Sequence, residues 1–304
     1  MPSYNAQVKP KSSFPSGHHR EHCSAHRSKI TTIGRNIGQQ VRIGRYAPDG
    51  VTLLDFALYT VIAVHDEEPD VVFVGFRNPE STHHDLRDRL GLSSTFMGKI
   101  DSQVTDNSEF VERLTDNGRH RGLIVIAPHG GDIEAHTDEQ AECVGKQLAS
   151  KGVSVWVCKG FIKQGNGAFD RWHITSTDIS EKSFPKLKKV IGRHFEYAVA
   201  FHGWTEGFIC IGGRAPRDLK QQFNDLKQEI KKKIVSAISG SRIKVVTDDD
   251  STFPGFNGND PKNIVNRLGT IGIQIEQSRK ARDDFSIPIA DAVASVIGPK
   301  IRGL

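Results

Sequence analysis

The chain has 304 residues, 37% hydrophobic and 25% charged, with 41 Lys and Arg against 36 Asp and Glu, a net charge of +5 and a pI near 9.0. That balance excludes a disordered or fibrous chain, leaves room for one large domain plus a smaller piece, and favours a polyanionic partner. No apolar run approaches the roughly 20 residues of a membrane helix, the first 30 residues hold no apolar leader, and Cys23, Cys143, Cys158 and Cys210 form no CxxC pair, so a reducing cytoplasm is the expected compartment.

Five Lys or Arg, four His and one acid fall in residues 1–30, and residues 1–40 read as a basic, disordered arm. His18, His19, His22, Cys23 and His26 cluster there, and they read as a flexible His-rich tail, because nothing sets a ligand geometry. Residues 41–105 read as a small ancillary β-rich module. In it "FALYTVIAV" and "VVFVGF" flank the turn-like "HDEEPD", as two strands joined by a turn would.

Over residues 106–304 strands alternate with helices. Leu123–Ala127 is a strand, and Thr137 with Gln140 forms a capping box for a helix ending at Gly152. Val153–Lys159 is a strand, 160–170 a glycine-bearing loop, and Ser183–Ile191 a helix with Pro185 in its first turn. Tyr197–Phe201 and "GFICIGG" are strands, and a long amphipathic helix runs from Pro216 to Ile238. Ile243–Thr247 is a strand, Asp260-Pro261 opens a helix to Leu268, Ile271–Ile275 is a strand, and Ile287–Ile297 a last helix. The expected class is α/β, a largely parallel mixed sheet with helices on both faces.

Several of these strands end in metal-competent side chains. "LIVIAPHGGDIE" delivers His129 and Glu134, "YAVAFHG" delivers His202, and "IGIQIEQS" delivers Glu276. In open α/β sheets ligands bind beyond the carboxyl ends of the strands. Two histidines and a carboxylate are a common catalytic zinc set that leaves a position for water, and a further carboxylate can take that water's proton. His129, Glu134 and His202 are the expected ligands and Glu276 the base. Asp132 competes as third ligand or as a group that orients His129.

"APHGGDIE", "TDE", "AFHG", "HITST", "NIVNRLG" and "GIQIEQS" occur in this order, and over roughly residues 110–292 the chain resembles the poly-γ-glutamate hydrolase family. The resemblance implies a zinc-carboxypeptidase-like core, zinc on His129, Glu134 and His202, Glu276 as catalytic base, and poly-γ-glutamate or an acidic peptide as substrate. It also makes release with phage or cell lysis an alternative to a purely cytoplasmic life.

For the substrate, Arg267 is the best carboxylate clamp, because a guanidinium grips a carboxylate with two hydrogen bonds. Asn263 and Asn266 either join that clamp or decorate a helix face, His173 reads equally as a substrate contact or as part of a structural hydrogen-bond cluster with Thr175, Ser176 and Thr177, and Arg214 is a candidate for the oxyanion. Arg279 and Arg282 read as surface residues, and Lys231 to Lys233 as the wet face of a helix. Two other readings stand beside this one: a zinc carboxypeptidase or amidase on other peptides, and a nucleic-acid-binding protein with a structural metal. No cysteine lies in the motifs and no nucleic-acid-binding signature is present, which argues against the last.

Overall fold

The computed structural model describes residues 5–10, 21–46, 53–75, 89–93, 109–163, 167–250 and 257–301. His18 and His19 lie outside the described residues, as do positions 164–166 of the expected loop. Two compact units make up the chain: residues 1–97 with 164–184, and residues 98–163 with 185–304. The stretch 164–184, expected in the large domain, therefore belongs to the first unit.

That first unit is a closed barrel of β1 (Asn5–Pro10), β2 (His22–His26), β3 (Gln40–Tyr46), β4 (Leu53–His65), β5 (Val71–Val74) and β6 (Arg89–Ser93), in the order β1-β5-β2-β4-β3-β6. Side chains two apart fill it: Cys23 and Ala25, Val41 and Ile43, Ala57, Tyr59 and Val61, Val72 and Val74. This is the alternation a pleated strand imposes. The disordered-arm expectation fails over His22–His26, because its inward positions are the small apolar Cys23 and Ala25, which few apolar letters announce. His22 is buried on Asp178 at 2.7 Å, and His26 accepts from Ser28 N–H at the start of α1 (Arg27–Thr32). The turn "HDEEPD" does join two strands, but β4 and β5 are not partners, since β2 lies between them, parallel to β4 and antiparallel to β5. The short helix α2 (Ala168–Trp172) also belongs to this unit.

The second unit is built on seven strands: β7 (Phe110–Thr115), β8 (Leu123–Gly131), β9 (Ser154–Gly160), β10 (Phe195–Trp204), β11 (Ile209–Arg214), β12 (Val245–Thr247) and β13 (Gly269–Ser278). Their order is β12-β11-β13-β10-β8-β9-β7, and β8, β9, β10 and β13 run parallel. β11 lies antiparallel to β13, and β7 antiparallel to β9. Odd-numbered side chains of the central strands, Val125, Val155, Val199 and Ile273 among them, share a core with α3 (Thr137–Gln147), α4 (Lys220–Ala237) and α6 (Arg279–Ile297). Even-numbered positions face the other way, where a Cβ on Gly272 would meet Asn266 of α5 (Ile264–Leu268). The mixed, mostly parallel sheet with helices on both faces agrees with the sequence reading.

Three helix expectations change in detail. Ser183–Ile191 holds only 3₁₀ turns at Leu187–Lys189 and Ile191–Arg193, because the buried Glu112 carboxylate accepts the N–H groups of Lys186 and Leu187. No capping box forms on α3, since its N-cap is His136 and Gln140 instead pairs by amides with Gln277. The last helix, expected over Ile287–Ile297, is joined across a kink at the non-helical Phe285 to a further helical stretch that starts at Arg279 with Ser278 as its cap, and Pro288 lies three residues past the kink. Proline in a helix interior removes one backbone donor and crowds the preceding turn.

Candidate metal and active site

The sheet's alternation would send His129 the wrong way. Val125 and Ala127 point into the odd-numbered core, so a regular strand would place His129 with them. Between Ala127 and Gly130 the register with β9 shifts. A bulge of this kind inserts one extra residue and re-aims the side chains that follow. Past it, a Cβ on Gly130 would stand 2.5 Å from Asp138 of α3, so Gly130 now faces the helices. His129 turns to the opposite face, which His202 reaches as an even-numbered position of β10. Gly131, at φ +66°, closes the turn, and its N–H donates to Asp138 at 3.0 Å. The glycine pair therefore shapes the strand end that presents His129.

Three buried groups meet there. His129 Nδ1 lies 3.1 Å from Glu134 Oε1 and 3.2 Å from His202 Nδ1, and His202 Nδ1 lies 3.5 Å from Glu134 Oε2. The Gly203 N–H donates to Glu134 Oε2 at 2.8 Å, which fixes the carboxylate plane. Burial alone would raise the Glu134 pKa, but His129 and His202 beside it bring the carboxyl well below its usual range. Tetrahedral zinc with ligands at about 2.0–2.1 Å separates its donor atoms by about 3.4 Å. The observed separations, to the two oxygens of one carboxylate, are of that size and join two nitrogen donors with a carboxylate, so these residues fit the metal. Cys210 stands opposite Glu276 on β11, and burial pushes its thiol up to about 12.

Glu276 is level with His202 on the adjacent strand and on the same face. Burial first, and the charge of Glu134 second, push its carboxyl well above the usual range. A short relay holds it. Asn263 caps α5 by accepting the Val265 N–H at 3.2 Å, which leaves its amide nitrogen to donate to Gln274 Oε1 at 2.8 Å. Gln274 must then donate to Glu276 Oε1, at 2.7 Å. The backbone N–H at the head of this chain fixes the orientation of every amide below it.

Arg282, read from sequence as a surface residue, is buried at 5% exposure. Its guanidinium lies over Gly203, where a Cβ would approach to 2.4 Å, and donates to Ala135 O at 2.6 Å, just past Glu134. Burial lowers its pKa, while Glu134 and Glu276 favour its charge. Gln274 and Arg282 are the two residues of this site that the sequence reading missed. The alternation of β13 could have found Gln274, two positions before Glu276.

The remaining candidates of this unit take other places. Arg267 lies in the last turn of α5 at the amino end of β13, whose first residue, Gly269, is seven positions from Glu276, about 23 Å at 3.3 Å per residue. Arg214 is at that same amino edge, because β11 runs antiparallel and pairs Arg214 with Gly272. Neither meets the His129–His202 cluster. Asn266 donates to the carbonyls of Gly258 and Asp260, both at 2.7 Å, and pins that loop rather than a ligand. Asp132 is exposed and accepts the Ile162 N–H at 3.0 Å, so it is used on a neighbouring loop and not on His129. Asn263 belongs to the relay. His173 is in the first unit, where it pairs with Glu21 and stacks on Phe169.

A mostly parallel α/β sheet thus brings two histidines and two carboxylates to the carboxyl edge of its central strands. Residues 97–288 match the family model of poly-gamma-glutamate hydrolase, and the chain belongs to that family. UPF0714 protein YndL of Bacillus subtilis (strain 168) is 32% identical over 159 residues, covering 51% of this chain and 53% of YndL. The chain thus spans about half the length of the curated relatives it matches. A bacteriophage poly-gamma-glutamate hydrolase structure aligns with TM-score 0.43 and 24% identity, over 64% of this chain and 93% of that one. A zinc-free form of YndL aligns with TM-score 0.45 and 22% identity, over 63% and 92%.

Proposed function

We propose that the chain is a zinc-dependent hydrolase of amide bonds in poly-γ-glutamate or related γ-glutamyl substrates. The observation that carries this reading is the approach of His129, Glu134 and His202 with Glu276 level with His202 on the next strand. His129, His202 and Glu134 would hold the metal. Zinc held there would supply Lewis acidity toward a carbonyl oxygen and would lower the pKa of a water toward about 7. Glu276 accepts the proton of the attacking water and returns it to the leaving amine. The Gln274 amide holds the accepting carboxylate in place, and Asn263 holds Gln274. Arg282 offsets the two neighbouring carboxylates and braces the loop after Glu134.

Family membership supports the γ-glutamyl substrate, and the net charge of +5 suits an acidic polymer. The test is Glu276→Gln, whose amide cannot accept a proton. Zinc content should stay near one per chain while cleavage of poly-γ-glutamate falls by about 10²-fold or more. Near-normal turnover in this variant removes Glu276 from the mechanism.

A further inference from the structure

The amino edge of the same sheet, remote from the metal-competent cluster, carries a second charged feature. A cavity of about 520 Å³ opens beside Arg119, Arg121 and Gln222, and another of about 420 Å³ beside Arg214 and Arg267. His194 and Thr270 line both, so the two join into one groove. It crosses the ends of β8, β10, β13 and β11, which is about 14 Å at the usual strand spacing.

The groove's chemistry is one-sided. Arg119, Arg121 and Arg214 are exposed, and Arg267 is half-buried. Among the described residues no carboxylate pairs with Arg119, Arg121 or Arg214, and Arg214 donates only to the carbonyl of Asn259, at 3.3 Å. Glu196 is the one acid lining the two cavities. Gathering guanidinium groups without counter-charges is unfavourable unless an anion meets them, and their planar forks match carboxylates in two-point contacts. No Phe, Tyr or Trp lines either cavity. Single-stranded nucleic acid is ordinarily held by stacking on such rings, so the groove suits a polycarboxylate better than a nucleic acid.

We propose that this groove is a second binding site for a polycarboxylate chain, holding a stretch of the polymer away from the bond that is cut. The proposal rests on the hydrolase reading for the identity of the polymer, but not for the existence of the site. Glu276 lies about 16–23 Å along β13 from the Gly269, Thr270 and Ile271 lining of the groove, so only a chain of several residues can engage both edges. Holding one stretch raises the local concentration of the rest at the catalytic edge. Short peptides gain nothing from it.

The experiment uses full-length protein, fluorescein-labelled long poly-γ-glutamate, a short γ-glutamyl peptide and single-stranded DNA of matched charge. Arg119→Glu with Arg121→Glu should weaken polymer binding by about tenfold or more, the loss of two charge-assisted contacts. Arg214→Glu, at the other end of the groove, should weaken it independently. Turnover of the short peptide and the melting temperature should stay unchanged in both. Unaltered polymer affinity in both variants overturns the proposal, and so does DNA binding more tightly than the polymer. Polymer binding that both variants weaken, in a protein that cleaves neither substrate, supports the groove while sinking the hydrolase reading. Peptide cleavage with polymer affinity indifferent to both variants does the reverse.

Discussion

Arg282 shows how little a charged letter says about where its side chain goes. Its neighbours Arg279 and Lys280 are exposed and pair with Asp283 and Asp284 one turn on, as a wet helix face does. Arg282 points inward from the same turn, because Gly203 leaves room for a guanidinium and Ala135 O supplies an acceptor. Removing a buried hydrogen-bonded cation leaves that carbonyl unmatched and two carboxylates without their offset. Arg282→Ala is therefore expected to lower the unfolding free energy by about 1.5–3 kcal/mol. Arg282→Lys should recover only part, since an ammonium lacks the fork. Urea unfolding checks both, and a loss under about 0.5 kcal/mol in the alanine variant, the range of an ordinary surface substitution, would mean the guanidinium braces nothing. His129, His202 and Glu276 could be read from sequence as polar ends of apolar runs. Arg267 sits on a short helix before a strand, and letters alone do not say which end of that strand bears the chemistry.

At the scale of elements the bulge in β8 decides whether His129 faces its partners, and periodicity could not reveal it. A period of two predicts the wrong face for His129, and only the Gly130-Gly131 pair hints at the break. Gly130→Ala forces a Cβ to within 2.5 Å of Asp138 Cβ and 2.9 Å of Cys158 O. Overpacking of this kind costs about 1–3 kcal/mol, and the shift should move His129 off its partners. Zinc titration and urea melts of the variant should show weaker metal binding and lower stability together; tight zinc binding with a wild-type melt would assign the bulge no role. Farther along, the turn after β7 is tied to the 3₁₀ turn before β10 by Arg193 on Asp116, which also accepts from Ser154 at 2.6 Å. Arg193 first among these holds the Asp116 carboxyl down at about 2, from 3.8. A depressed carboxyl stabilises the fold above its unfolded pKa, and that contribution fades as pH falls from about 4 toward 2. With solvent screening it is worth about 1 kcal/mol. Asp116→Asn should remove this part of the acid-dependent loss, which melts at pH 5 and pH 2.5 would register as a smaller difference than in the parent chain.

For the whole molecule, the alternation of strands and helices made the α/β unit legible, whereas the barrel was not. Its inward residues are often small, and its strands pair out of chain order. The stretch 164–184 carries buried Trp172, Ile174 and Ile179 and supplies Asp178 and Ser183 to partners His22 and Gln40. Deleting residues 1–97 alone should therefore leave this stretch without its fold and open to proteases. Limited proteolysis should cut the truncated chain between 164 and 184 and spare the full chain; equal resistance would show that the stretch does not depend on the barrel. Among the described residues no helix is long and apolar enough to cross a membrane. The central claim concerns the other unit, and one measurement reaches it directly: anomalous diffraction at the zinc edge from crystals of the zinc-loaded protein. The account predicts one strong peak bounded by His129 Nδ1, His202 Nδ1 and the Glu134 carboxylate, with Glu276 nearby but not bound. A peak elsewhere, or none at that triangle, would contradict it.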